Sequence, residues 1–187
     1  MNICVFVYAK TQEAGTVSGP ILRSLLNYLI KNGLADEAPE ATFNHTSGRT
    51  TLINTNRLGD VWSLPPFWED NTGAVSLSTL PMSVDTALSR HDFHADIKAR
   101  IKSPKALRYL LPPFMGSYHL DGVSGVFTDA LGIGRAYMLE SDLFFVASNA
   151  IAPCLFFDSE LAEEDTYAWQ LFSGFGWFTG THPRSGG

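Results

Sequence analysis

The sequence predicts an α+β fold, two antiparallel sheets with helices on their outer faces. Apolar, strand-like runs come in pairs around short polar turns, at Ser47-Gly48, Asp121-Gly122 and Glu140-Ser141-Asp142. Each pair reads as a hairpin. Helical periodicity is confined to a few segments between them. The run Leu143-Phe144-Phe145-Val146 does not alternate, so both faces of its strand are expected to be covered.

Ile3 to Ala9 is a short apolar, β-branched and aromatic run, hence a buried strand. In the next segment, Ile21, Leu22, Leu25, Leu26, Leu29 and Ile30 form one helical stripe. Ser18 is the expected cap, Pro20 falls near the first turn and Gly33 ends the helix. Residues 41–56 read as two strands around Ser47-Gly48. The stretch from Leu64 to Gly73 reads as loop because of its two prolines. Gly73 to Met82 reads as a strand, with Val75 and Leu77 alternating against Ser76 and Ser78. A helix from Asp92 is expected to turn Phe93, Ile97 and Ile101 to one side, and Lys105–Leu111 reads as a second short helix stopped by Pro112-Pro113. The hairpins around Asp121-Gly122 and Glu140-Ser141-Asp142 follow. A capped helix carrying Tyr167, Trp169, Leu171 and Phe172 is expected near the end.

The chain has 187 residues, 45% hydrophobic and 17% charged, which suits one globular domain over residues 1–187. The net charge of −6 argues against a nucleic-acid surface. No apolar run is long enough to cross a bilayer, and the opening residues lack a secretory pattern, so no membrane association and a cytoplasmic location are expected. Cys4 and Cys154 both sit among apolar residues and read as buried free thiols.

Gly132-Ile133-Gly134 raises the question of phosphate binding. A dinucleotide fingerprint needs a third glycine and a helix opening at the loop, and a Walker-type loop needs Lys-Ser/Thr. Neither is present. Gly132 is therefore expected to supply a positive-φ turn position, with Asp129 bonding the backbone ahead of it. His91, Asp92, His94 and Asp96 have a metal-like look, but lack a third ligand at defined spacing and read as a solvated helix start, so no metal is expected. Trp62, Phe67 and Trp68 are expected to fold back on the core. The acidic cluster Asp158, Glu160, Glu163, Glu164 and Asp165 reads as a solvated helix start.

The segment TDALGIGRAYMLESDLFFVASNAIAPCL resembles the end of the N-terminal domain of asparagine synthetases, through Asp129, Leu131, Gly132, Ile133, Tyr137, Phe145, Ala147 and Ser148. The similarity runs over roughly residues 114–183. Asp129, Gly132, Tyr137 and Ser148 form its structural motif. The resemblance implies a class II glutamine amidotransferase domain, a four-layer αββα sandwich of the Ntn-hydrolase type, with Phe127, Tyr137, Phe145 and Leu155 buried between or beside the sheets. In active members an N-terminal cysteine attacks glutamine with its own α-amine as base. An Asn-Gly pair then forms the oxyanion hole and an arginine holds the substrate carboxylate.

This chain departs from that pattern at the chemistry. Cys4 stands behind Met1, Asn2 and Ile3. The nearest substitute for Asn-Gly is Asn71-Thr72-Gly73, and Arg49 or Arg57 is the candidate carboxylate ligand, Arg49 reading first as a hairpin-edge residue. The resemblance therefore implies a domain that keeps the fold, has lost glutamine hydrolysis and needs no cofactor of its own. As in β-lactam synthetases and lasso-peptide cyclases, it would support an ATP-dependent amide-forming synthetase domain, fused or separate. That domain would carry a Ser-Gly-Gly-x-Asp-Ser loop, which is absent from these residues; the chain stops about where the family's linker would begin. Trp169, Phe175, Trp177 and Phe178 are the expected docking aromatics. The alternative is an active amidotransferase matured to expose Cys4.

Overall fold

A computed structural model describes residues 2–35, 43–55, 64–84 and 92–157. It is a mixed α/β structure with antiparallel sheets. A five-stranded sheet centres on β1 (Cys4–Ala9). Its neighbours are β3 (Thr50–Asn54), flanked by β2 (Phe43–Ser47), and β11 (Phe144–Ser148), flanked by β10 (Tyr137–Glu140), in the order β10-β11-β1-β3-β2. A four-stranded sheet runs β4-β5-β8-β9, with β4 Phe67–Asp70, β5 Gly73–Leu77, β8 Met115–Leu120 and β9 Val123–Thr128. The two-residue strands β6 (Met82–Ser83) and β7 (Leu110–Leu111) pair with each other. The helices are α1 (Gln12–Lys31), α2 (Phe93–Lys102), α3 (Pro104–Leu107) and α4 (Ala152–Leu155).

Three apolar clusters follow from the strand alternation. Val5, Val7 and Ala9 turn to one side of β1 and join Leu25 and Leu29 of α1 and Cys154 of α4. Phe6, on the other side, joins Leu52, Phe67, Ala74, Met115 and Ala147, drawn from both sheets. Val75, Leu77 and Leu120 pack instead with Phe93, Ile97 and Ile101 of α2. Fully burying such side chains stabilises by about 1.5–3 kcal/mol each, which is what fixes the strand registers. Phe127, Tyr137, Phe145 and Leu155 are half-buried rather than buried. The first three pack on the second-sheet, α1 and inter-sheet clusters respectively.

The helix stripe is as the sequence reads, but the helix is capped seven residues earlier. Thr11 is the cap, its hydroxyl accepting from the Ala14 amide at 3.0 Å. Ser18 lies inside α1 and its hydroxyl donates to the Gly15 carbonyl. Pro20 is an interior residue that withholds one N–H from the ladder. Gly33, at φ +65°, closes the helix, with the Leu34 amide bonding back to the Leu29 carbonyl at 2.8 Å.

The loop expected over Leu64–Gly73 is instead β4 and a tight turn. Pro65 and Pro66 precede the strand, and β4 is a sheet edge, so no ladder bond is lost to them. Phe67 and Trp68 are buried on opposite faces; Trp62 lies outside the described residues. The short helix expected over Lys105–Leu111 ends at Leu107, and Leu110–Leu111 pair with β6, so the strand expected to reach Met82 is also divided. The serines alternating with Val75 and Leu77 are also buried: Ser76 faces Cys4 and Asn54 of the other sheet, and Ser78 accepts from the Met115 amide. The helix expected near Tyr167, the acidic cluster from Asp158, and Arg57 and His91 lie outside the described residues. Among those described, no helix is long and apolar enough to cross a membrane.

Candidate functional site

Cys4 opens the central strand, and its side chain enters the space between the two sheets. Its sulfur lies 3.1 Å from Ser76 Oγ on β5 and 3.4 Å from Ser117 Oγ on β8, two serines that are register partners. Asn54, opposite Cys4 on β3, donates from Nδ2 to Ser76 Oγ at 3.0 Å and to the Leu77 carbonyl at 2.9 Å. Cys4, Asn54, Ser76 and Ser117 are all fully buried. A polar cage of this kind persists in a core because its members satisfy one another.

The backbone before Cys4 is equally engaged. The Cys4 amide donates to Asn149 Oδ1 at 2.7 Å, and Asn149 Nδ2 donates to the Asn2 carbonyl at 2.8 Å. The Ile3 amide donates to Thr55 Oγ1 at 2.9 Å, and the Thr55 amide returns a bond to the Ile3 carbonyl. Asn2 and Ile3 are buried with Cys4. Burial pushes the Cys4 thiol above its ordinary value, and the Ser117 and Ser76 hydroxyls offset only part of that. The sulfur is thus a neutral thiol, and its amide nitrogen is a bonded peptide N–H, not a base.

Arg49 lies far from this thiol. Tyr8 pairs with Thr50 and Cys4 with Asn54, so about 13 Å of strand separates the two ends of β1, at roughly 3.3 Å per residue. Arg49 is exposed at the β2–β3 turn, where Nη1 donates to the Lys10 carbonyl at 2.7 Å and the guanidinium lies 5.1 Å from the Tyr8 ring centre. It borders a cavity of about 750 Å³ between the β2–β3 and β8–β9 turns. Asn71 is exposed in the β4–β5 turn. Gly73, at φ +134°, lies so close to the His119 carbonyl that a Cβ would collide with it. The structure therefore brings none of Arg49, Asn71 and Gly73 to Cys4. The residues that do surround it, Ser76, Ser117, Asn54 and Asn149, carry only one sequence signal: polar positions inside strand-like apolar runs.

The Asp129 loop answers the phosphate question. Oδ1 accepts from the Leu131 amide at 3.1 Å and the Ile133 amide at 3.0 Å; Oδ2 accepts from the Gly134 amide at 2.5 Å and the Phe114 amide at 3.4 Å. The chain's own carboxylate occupies the amides that an anion would need. Gly132 has φ +65°, and a Cβ at Gly134 would strike the Phe114 carbonyl. Ser148 is buried opposite Tyr137 and Val5, and the Tyr137 carbonyl lies 3.7 Å from the Cys154 sulfur.

His94 stacks on Trp68 at 4.3 Å, and no group of three potential metal ligands occurs among the described residues. Comparison with family models, curated proteins and solved structures returned no match to this chain.

Proposed function

We propose that the chain is an asparagine synthetase-like N-terminal domain that no longer hydrolyses glutamine and that supports an ATP-dependent amide-forming synthetase, fused or separate. One observation carries the reading. Cys4, the nearest match to the resembled family's N-terminal nucleophile, stands at the head of the central strand between two facing antiparallel sheets, yet its amide is bonded to Asn149 and its thiol is sealed in hydroxyls. The order of the apolar clusters, α1 and α4 against one sheet and α2 against the other, supports a four-layer αββα sandwich. Among the described residues no base adjoins the sulfur, which favours a role in packing and docking over ammonia release.

A second reading has one specific support. Asn149 Oδ1, 2.7 Å from the Cys4 nitrogen, would hold an α-amine as readily as an amide, so cleavage before Cys4 would leave a positioned nucleophile and base. Against it, Asn2 and Ile3 are core residues whose removal opens the packing around β1.

The test is the intact mass of the protein from its native source, with glutaminase and ATP–pyrophosphate exchange assays on the purified complex. The proposal expects a chain that retains Asn2 and Ile3, no ammonia from glutamine, and pyrophosphate exchange that co-purifies with it. A chain starting at Cys4, with glutamine turnover abolished by Cys4→Ala, establishes the second reading instead.

A further inference from the structure

The cavity at the far end of β1 belongs to neither reading. It lies between the β2–β3 turn of one sheet and the β8–β9 turn of the other. Its volume, about 750 Å³, falls within the roughly 300–1,000 Å³ common for small-molecule sites.

Three features of its wall select a ligand. The apolar side is aromatic. Phe6, Tyr8 and Phe145 line it, the last two being register partners that remain half-buried. Phe6 and Phe145 already meet edge to face at 6.0 Å. A flat apolar body laid here would cover ring surface that the protein leaves open.

The second feature is a fixed charge. Arg49 is held by the Lys10 carbonyl and by the Tyr8 ring, so part of its side-chain entropy is already lost. Among the described residues it has no carboxylate partner. The nearby Lys10 is paired with Glu140, and Lys102 with Asp121. One N–H on Lys10 leaves most of a five-donor fork uncommitted among those residues.

The third is a hydrogen-bonded chain across the sheets. Thr50 Oγ1 and Ser124 Oγ lie 2.7 Å apart, and Ser124 Oγ lies 2.7 Å from His119 Nδ1. These groups border the cavity and hold its two walls together.

We infer that this cavity binds a small organic carboxylate with a flat apolar body. The carboxylate meets Arg49, the body lies on the half-buried Tyr8 and Phe145 rings with Phe6 behind them, and the Ser124–His119 pair orients any further polar group. A single guanidinium matches one negative charge, so a monocarboxylate fits better than a phosphate dianion, which recruits several cations. The Tyr8 end of the site, beside Arg49, is about 13 Å of strand from Cys4, too far for one glutamine to reach both the guanidinium and the thiol, while the Phe6 wall lies about 7 Å of strand from Cys4.

Titration calorimetry with phenylacetate, indole-3-acetate and hexanoate, each beside its neutral carboxamide and beside inorganic phosphate, tests the inference. Expected are saturable binding of at least one aromatic acid, about tenfold or more weaker binding of its amide, and a similar loss in Arg49→Gln, whose site is exposed. Ser124→Ala, with an unchanged circular-dichroism spectrum, is expected to weaken binding by less. Absence of saturable binding overturns the inference, as does amide binding equal to acid binding, or phosphate binding equal to both. The acid–amide comparison uses the unmodified protein, so it decides even if Arg49→Gln fails to fold.

Discussion

Asp129→Asn isolates the interaction that shapes the Gly132 loop. The wild-type carboxylate accepts four backbone N–H groups, two on each oxygen. A carboxamide keeps one oxygen and turns an NH2 toward the other pair of donors, so in either orientation two bonds are lost. The Asp129 side chain is buried, but Leu131 and Ile133 stand in solvent, so their amides regain water when released. Taking about 1–1.5 kcal/mol for each lost bond gives about 2–3 kcal/mol. For a chain of this size that corresponds to roughly 4–12 °C in melting temperature, at about 2–4 °C per kcal/mol.

The pH dependence gives a second check. Burial raises the Asp129 carboxyl's pKa, but the Gly134, Ile133, Phe114 and Leu131 amides together outweigh it and hold the group below its ordinary value. A carboxyl depressed in the folded state contributes stability that is present above its unfolded value, about 3.9, and is lost as pH falls through the folded value. The gap between wild type and Asp129→Asn is therefore full at neutral pH and narrows in acid. Calorimetric melts from neutral pH to below about pH 4 measure it. Asp121→Asn serves as control. Asp121 is exposed at φ +51°, a conformation that asparagine accepts. A variant melting within about 1 °C of wild type at neutral pH, or a gap that stays constant in acid, refutes the reasoning.

Both thiols are expected to resist a disulfide reagent in the native state at mildly alkaline pH and to react fully in guanidinium; fast native labelling of Cys4 contradicts the sealed cage. Burial pushes the Cys154 thiol up to about 11 from an ordinary 9.0, so its contribution to stability is intact below pH 9.0 and is lost as pH rises toward 11; Cys154→Ala should flatten that alkaline decline in chemical denaturation. Gly73→Ala combines a φ of +134° with a Cβ driven into the His119 carbonyl, and is expected to cost about 3 kcal/mol or more by denaturant titration, whereas Gly48→Ala, at φ +57° in open space, costs about 1–2 kcal/mol. Lys98 and then Thr72 hold the Asp70 carboxyl well below the usual carboxylate range, yet the pair is partly in solvent, so Lys98→Met is expected to change stability by under about 1 kcal/mol; a larger change in the same titration would mean that the pair is not screened.

What the sequence revealed depended on how local the cause was. The turns at Gly48 and at Asp121-Gly122 were legible because positive φ is a property of single residues, and both glycines adopt it. The stripe of α1 was legible from spacing. Its start was not, because Gly15, Gly19 and Pro20 weaken the helical signal where Thr11 caps it. β4 was hidden by Pro65-Pro66, which forbid strand only where a ladder bond is needed. The cage around Cys4 was illegible for a different reason. Ser76, Ser117 and Asn149 stand 72, 113 and 145 residues away, and nothing local marks a mid-strand serine as facing another sheet rather than water. The cavity shares that difficulty, since Thr50 and Ser124 meet across 74 residues.

The two ends of β1 carry separate hypotheses because one strand cannot bend to join them. Cys4 and Tyr8 lie on the same face of β1, and its register is fixed on both sides, against β3 and β11. A ligand in the cavity therefore touches neither the thiol nor its amide, and a change at Cys4 leaves Arg49 and the Thr50–Ser124 bond in place. Cys4→Ala should leave aromatic carboxylate binding unchanged, and Arg49→Gln should leave the native Cys4 thiol as slow to react with a disulfide reagent as in the wild type. If instead Cys4→Ala removes binding, or Arg49→Gln opens the thiol to labelling, without lowering the melting temperature, the ends are coupled through β1, and neither site can be described alone.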